Sequence, residues 1–392
     1  MMESQGKKRR VLLIYNRIIP SVRLCGHAQM EKLQELQMVE YRAIRYLDVK
    51  AEDLNWADIA ILGRPDSWYE YILAKQLHKA GKFVAYILDD DLLNVPPYLS
   101  SSAYLKRKDI RRNIERTLAI SDALISPSPR ILSKYLDSEK NQKGILIEEP
   151  AISPVKYMPH DSEAPIHIGF AGSIDRAQDI ENILKDALVR IKEEYQDRVA
   201  FYFYGAVPKF AEALNATMIP YCESYEEYRL KLNELQWDIG LAPMPQTEFH
   251  SCKHYNKFIE YAASAVAGIY SEVEPYTRLK KWDGFGLFSP NNSTDWYENI
   301  KYLIENRHAM EQIRRKACEY TSGPLSVEYI ARQFYQDLEE YAADTDKKSV
   351  RIVLFPYKVW HFVIRAYSFF IANRKNLIPA VCQKIKYFAG IS

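Results

Sequence analysis

Nothing in this chain of 392 residues is organised by cysteine. Its five cysteines (Cys25, Cys222, Cys252, Cys318 and Cys382) are odd in number and scattered, with no CxxC and no Cys/His spacing that suits zinc. A disulfide scaffold is thereby excluded, and free thiols in a reducing compartment are the expectation. Long apolar runs are missing too. No uninterrupted apolar stretch reaches the ~18 residues of a spanning helix. The basic residues 1–10 lead into an apolar run at 11–15 that is too short for a signal segment. Neither short-period repeats nor low-complexity tracts occur. Acidic residues are absent from 347–392, which holds nine Lys/Arg, so the net charge of +2 joins an acidic body to a basic tail.

A chain of this length exceeds one ordinary core, and two domains are expected. Hydrophobic residues, at 47%, are enough to enclose a water-poor site. Short apolar runs alternate with helical periodicity. In the first half, strands are expected at 11–15, 59–62, 83–88, 123–126 and 144–148, and helices at 25–36, 68–80, 111–120 and around 133–135. Residues 150–165 are polar, proline-bearing and aperiodic, and form the expected linker. Strands follow at 166–170, 199–204, 218–221, 239–242, 268–271 and 286–288, with helices at 180–194, 225–235, 309–320 and 327–341. This alternation implies an α/β chain. Two doubly wound Rossmann-like domains, 8–157 and 163–343, face a cleft, and a basic-aromatic helical tail occupies 347–392. Ligands of such sheets sit beyond the carboxyl ends of strands, where the candidate residues fall.

The most informative stretch is 237–276. Asp238-Ile239-Gly240-Leu241-Ala242-Pro243 is a short buried strand ending at proline. Beyond a polar loop, Phe249-His250-Ser251-Cys252-Lys253-His254-Tyr255-Asn256-Lys257-Phe258-Ile259-Glu260 reads as a helix with cations in its first turns. Lys253 and Lys257, four apart, share one face. A second apolar segment ends in Glu274-Pro275-Tyr276. Helix amides and lysines hold phosphate, and a carboxylate one turn on accepts ribose hydroxyls, so the order suits a nucleoside diphosphate. Lys257 and Glu260 can equally form a mere surface salt bridge. Gly172-Ser173, between strand and helix, lets amides approach an anion beside Arg176, or it is only a tight turn. Tyr204-Gly205 closes the next strand in the same way. His250 touches a sugar or its phosphate, or simply packs in its loop.

Asp89-Asp90-Asp91 ends a strongly apolar strand, where mutual repulsion demands a cation, solvent or a ligand hydroxyl. Three readings stand: a metal–diphosphate site, a carboxylate that orients or deprotonates an acceptor hydroxyl, and helix capping by Asp91. Asp90 and Asp91 are the candidates for the second. Arg23, in the loop after the first strand, can stabilise charge on a leaving diphosphate. In the tail, Phe355, Trp360, Phe362, Phe369 and Phe370 interleave with Lys358, Arg365 and Arg374. That suits an anionic membrane surface better than single-stranded nucleic acid, with partner-protein docking as the bland reading. Asn373 and Pro379 are expected to divide it into two short helices.

The stretch 237–276, with the strand–Gly172–Ser173 turn, resembles the donor site of GT-B glycosyltransferases, specifically the family 4-like enzymes of bacterial surface-polysaccharide assembly. The likeness spans roughly 8–343 and is specific only in its second half. It implies ribose binding at Glu260, phosphates near Lys253, retention of anomeric configuration, no obligatory metal and no cofactor, the nucleotide sugar being a substrate. It also implies a lipid-linked saccharide acceptor and a cytoplasmic location, peripheral on the inner face of the membrane. Two departures stand out. Many relatives carry another glutamate where Cys252 stands, and an Asn at the crossover where this chain has Glu148-Glu149-Pro150. A degenerate partner subunit and a non-hydrolysing sugar-nucleotide epimerase share the fold and are the competing readings.

Overall fold

A computed structural model describes residues 8–137, 139, 142–160, 163–282, 284–343 and 352–372. The first sheet holds β1 (Arg9–Tyr15), β2 (Val39–Arg45), β3 (Ile59–Gly63), β4 (Phe83–Ile87), β5 (Ala123–Ser126) and β6 (Lys143–Leu146), in the order β2-β1-β3-β4-β5-β6. The second holds β7 (Ile166–Gly172), β8 (Val199–Gly205), β9 (Thr217–Ile219), β10 (Ile239–Ala242), β11 (Ala267–Ser271) and β12 (Leu287–Ser289), in the order β12-β11-β10-β7-β8-β9. Neighbouring strands are parallel throughout. Parallel strands need helical crossovers that cover both faces, so β3 and β4 are buried at every residue.

Strand order reverses once in each sheet, between β1 and β3 and between β7 and β10. Crossovers leave these points on opposite faces and open a crevice beyond the carboxyl ends of the strands. The chain emerges there at Pro20 and Ser21, at Arg64, at Gly172 and Ser173, and at Pro243.

Among the elements outside the expected pattern are short helices at Ala51–Trp56 and Ser102–Leu105, a strand and a longer helix. β2 is an edge strand in which Glu40, Arg42 and Arg45 alternate with apolar residues, and only Val39 is fully buried. The helix Ser293–Glu305 begins at Asn292, whose side chain accepts a hydrogen bond from Asp295 N. The first helix also starts earlier than expected, at Pro20–Val22, and continues through a π turn at Arg23–His27 into Ala28–Glu35.

The expected units 163–343 and 347–392 do not pack separately. Helix Val327–Ala342 lies on Ala28–Glu35, and Ile330, Phe334 and Leu338 share a core with Met30 and Leu33. Ile352 and Leu354 enter the first half's core beside Leu73 and Leu77. Helix Phe355–Ala372 then lies on Trp68–Lys79. Apolar side chains thus tie the chain's last third to its first. The expected second tail helix beyond Asn373 lies outside the described residues. No described helix is long and apolar enough to cross a membrane.

Candidate active site

A cavity of about 400 Å³ lies between the two reversal points. Ser21, Arg64 and Asp90 line it from the first half, and Gly172, Ser173, Arg176, His250, Lys253, Lys257 and Glu260 from the second. A smaller cavity of about 190 Å³ opens beside it, sharing Gly172, Ser173, Lys257 and Glu260 and adding Tyr204, Tyr221, Tyr225 and Tyr228. The wall between them rests on Gly205. Its φ is +83°, and a Cβ there would lie 2.2 Å from Gly172 O, so only glycine lets β7 and β8 end side by side.

Arg176 ends a short 3₁₀ turn, Ile174–Arg176, that opens the helix Ala177–Tyr195. Asp179 at 2.8 Å and Pro243 O at 2.5 Å hold its guanidinium beside the cavity. Lys257 lies in the first turn of helix Asn256–Ala263. Lys253 does not share that helix, against expectation. Its chain turns between Glu248–Ser251 and Asn256–Ala263 because His254 and Tyr255 leave the helical path to meet Glu148. The two lysines converge through that turn rather than along a helix face.

Glu260 is buried at 6% exposure, so its ion pair with Lys257 is not a surface bridge. Tyr228 donates to its Oε2 at 2.6 Å, and Lys257 also reaches Tyr228 Oη at 3.2 Å. Below, Arg229 donates to Glu260 O and to Ser264 Oγ, fixing the helix turn that carries the carboxylate.

Burial, then Arg176 and Lys253, lower the His250 imidazole to about 3 and keep it neutral. Thr247 Oγ1 accepts from His250 N at 3.3 Å and lies 2.8 Å from Nδ1. The neutral ring is thus held to that hydroxyl through Nδ1.

The three aspartates diverge. Asp89 pairs with Arg64 at 3.1 Å. Asp90 pairs across the cleft with Lys253 at 2.8 Å. Burial opposes the charge on Asp90, but Lys253 and Arg64 outweigh it and hold the carboxyl below the ordinary aspartate range. Asp91 turns inward, fully buried, onto Lys134 at 2.8 Å, Asn94 at 2.9 Å and Tyr135. It does not line the cavity and anchors the helix Pro129–Tyr135 instead. Arg23 does not line it either; it pairs with Glu31 and, at 2.9 Å, with Glu226. Cys252, where the resemblance would place a carboxylate, is buried among Leu92, Leu105 and Phe249.

Several residues at the site are not among the candidates, although Glu148 and Glu149 stand out as a departure at the crossover. Arg64 follows β3 and has left-handed φ, a position marked only by Gly63-Arg64-Pro65. At the crossover, Glu148 accepts from His254 at 2.8 Å and from Tyr255 at 2.5 Å. Burial works against both charges, but their contact raises His254 and lowers Glu148, so they form an ion pair. Glu149 also lines the cavity. Burial raises its carboxyl to about 7; Cys25 Sγ lies 3.4 Å from Oε1, and Oε2 has no hydrogen-bond partner.

No protein-family model matches this chain, and no curated protein matches it. Solved structures do. A glycosyltransferase from Rickettsia africae ESF-5 is 12% identical with a TM-score of 0.58, over 86% of this chain and 100% of that one. Anabaena HepE, solved with UDP and glucose, is 10% identical with a TM-score of 0.54, over 84% and 99%. A putative UDP-N-acetylglucosamine 2-epimerase from Listeria monocytogenes is 11% identical with a TM-score of 0.54, over 88% and 100%. At these identities the likeness is one of architecture, and the chain has the GT-B fold of two facing Rossmann-like halves.

Proposed function

We propose that this protein is a family 4-like, retaining glycosyltransferase of surface-polysaccharide assembly. It moves a hexose from a nucleotide sugar to a lipid-linked saccharide on the cytoplasmic face of a membrane. One observation carries the reading: two strand-order reversal points face each other across a single cavity whose second-half wall is cationic and ends at a buried carboxylate. The nucleoside base fits the smaller cavity against Tyr204 and Tyr221, and Glu260 accepts the ribose hydroxyls. Lys257, Lys253, Arg176 and the amides at Gly172 and Ser173 take the diphosphate. The sugar then lies against the His250 ring, with Asp90 placed to accept a hydrogen bond from the incoming hydroxyl. Rate enhancement comes from alignment and from cations poised over the leaving diphosphate.

HepE's complex with UDP and glucose supports a nucleotide-sugar donor, and the exposed aromatic face of helix Phe355–Ala372 supports a membrane-borne acceptor. The epimerase neighbour keeps one other reading in play, an enzyme that alters the sugar without transferring it. Such an enzyme has no use for that face. The test is a thermal-shift panel of UDP, GDP, dTDP and their sugars on wild type and Glu260→Ala. One nucleotide class is expected to raise Tm by several degrees, with the rise lost in the variant. No rise with any nucleotide would overturn the reading in favour of a scaffold subunit.

A further inference from the structure

A separate cavity, of about 560 Å³, lies between helix Lys108–Ile120 and the C-terminal helix. The loop after β3 divides it from the first: Arg64 lines one and Asp66 the other. Arg107, Arg112, Arg116 and Arg365 line it, against Asp66 and Asp109. Arg107 is committed to Asp109 at 2.6 Å, and Asp66 accepts from Tyr104 at 3.0 Å. Arg112, Arg116 and Arg365 have no carboxylate partner among the described residues.

His361, on the C-terminal helix, also lines this cavity. It is 4% exposed, and its Nδ1 has no hydrogen-bond partner. Arg365 donates to Tyr46 Oη at 3.2 Å, and that hydroxyl lies 3.4 Å from His361 Nε2. Whichever ring nitrogen carries the proton, Nδ1 is left without a partner. Burial, then Arg365, lower the imidazole to about 4, so the ring is neutral. A buried polar nitrogen without a partner costs about 1–3 kcal/mol. Arg112, Arg116 and Arg365, three guanidiniums without carboxylate partners, make an anionic oxygen the group that this groove attracts.

The opposite face of the helix names the carrier. Phe355, Val359, Phe362, Val363 and Phe370 recur at helical spacing, exposed and turned away from the core. An anion in the groove would sit at the edge of whatever apolar layer covers that face. We infer that the groove between helices Lys108–Ile120 and Phe355–Ala372 binds the phosphate or diphosphate headgroup of an amphiphile, an inference that rests on the lipid-linked acceptor proposed above.

The full chain is floated with vesicles of phosphatidylcholine alone, with phosphatidylglycerol, or with phosphatidic acid matched in surface charge. Wild type should prefer phosphatidic acid over phosphatidylglycerol roughly tenfold. Arg112→Gln/Arg116→Gln should lose that preference yet still float with phosphatidylglycerol. An equal preference in wild type and the double variant overturns the site. Calorimetry with inorganic pyrophosphate separates the sources: arginine-dependent binding of pyrophosphate without any phosphatidic acid preference overturns the amphiphile in favour of a free phosphate. If no vesicle is bound while a nucleotide still stabilises wild type, the membrane reading falls and the donor site stands.

Discussion

The two walls of the central cavity carry opposite charge. The second half presents Arg176, Lys253, Lys257 and the amides at 172–173, with Asp175 and Glu260 in return; the first presents Asp89 and Asp90 with Arg64 in return, beside a Glu149 carboxyl that burial raises to about 7. One wall complements an anion, and the other complements groups that donate hydrogen bonds, as hydroxyls do. Where they meet, Lys253 and Asp90 neutralise each other at 2.8 Å until something comes between them. Partnering, rather than the number of charges, sets what each residue can do. Asp90 and Asp91 are adjacent and chemically identical. Asp91 spends its oxygens on Lys134, Tyr135 and Asn94, and only Asp90 meets the other wall.

The largest effect should follow from breaking the cationic wall. Lys253→Ala is expected to slow sugar transfer about 10²–10³-fold, the loss typical of one charge-stabilising donor. Its unfolding free energy in urea should stay within ~1 kcal/mol of wild type, because the lysine is partly exposed. Asp91→Ala should do the reverse. It removes the buried acceptor of Lys134, Asn94 and Tyr135, and costs about 2–3 kcal/mol in urea unfolding, held down because Lys134 keeps Glu248 and Tyr135 keeps the Asn94 donor. The nucleotide-induced rise in Tm should survive it. Loss of that rise in Asp91→Ala would erase the distinction between the two aspartates.

The second wall was legible because it is compact in sequence. Lys253, Lys257 and Glu260 fall within eight residues, and so short a span cannot place them far apart whatever the turn between them. Helical spacing still misassigned Lys253, since the pull of Glu148 on His254 and Tyr255 comes from across the chain. Tyr228, which holds Glu260, lies 32 residues away and is one of 29 tyrosines. The first wall is assembled from loops after β1, β3, β4 and β6, and no local pattern announces that Arg64 and Glu149 meet there. For the fold, β–α alternation sufficed, because buried parallel strands are continuous apolar runs. It failed at β2, where an edge strand alternates charges with apolar residues. In the tail, periodicity marked an amphipathic helix but not that Ile352 and Leu354 dock it on the first half.

Glu149 tests whether the acidic wall is strained by burial. A carboxyl raised to about 7 is protonated more readily folded than unfolded. Stability from this group is therefore full below the unfolded value near 4.5 and declines as pH rises through about 7. Glu149→Gln removes that titration. Relaxation around the carboxyl takes up part of the full shift, so the variant should be more stable by about 2 kcal/mol at pH 8 and no more stable at pH 4. Urea titrations of both proteins at the two pH values check this, and equal differences at both would show that Glu149 is not held in its neutral form.

Arg23 should give the smallest effect, and its smallness is informative. It bridges the halves through Glu226, as Lys253 does through Asp90, but both its carboxylate partners are about half exposed. Solvent screens such pairs, and Arg23→Ala should cost under ~1 kcal/mol, less still in 0.5 M salt. Transfer should change by no more than about twofold, because the guanidinium lines neither the larger cavity nor the smaller one. A hundredfold loss with unchanged stability would mean that closing the halves brings Arg23 onto the leaving diphosphate. The anion-binding wall would then be built by both halves and not by one.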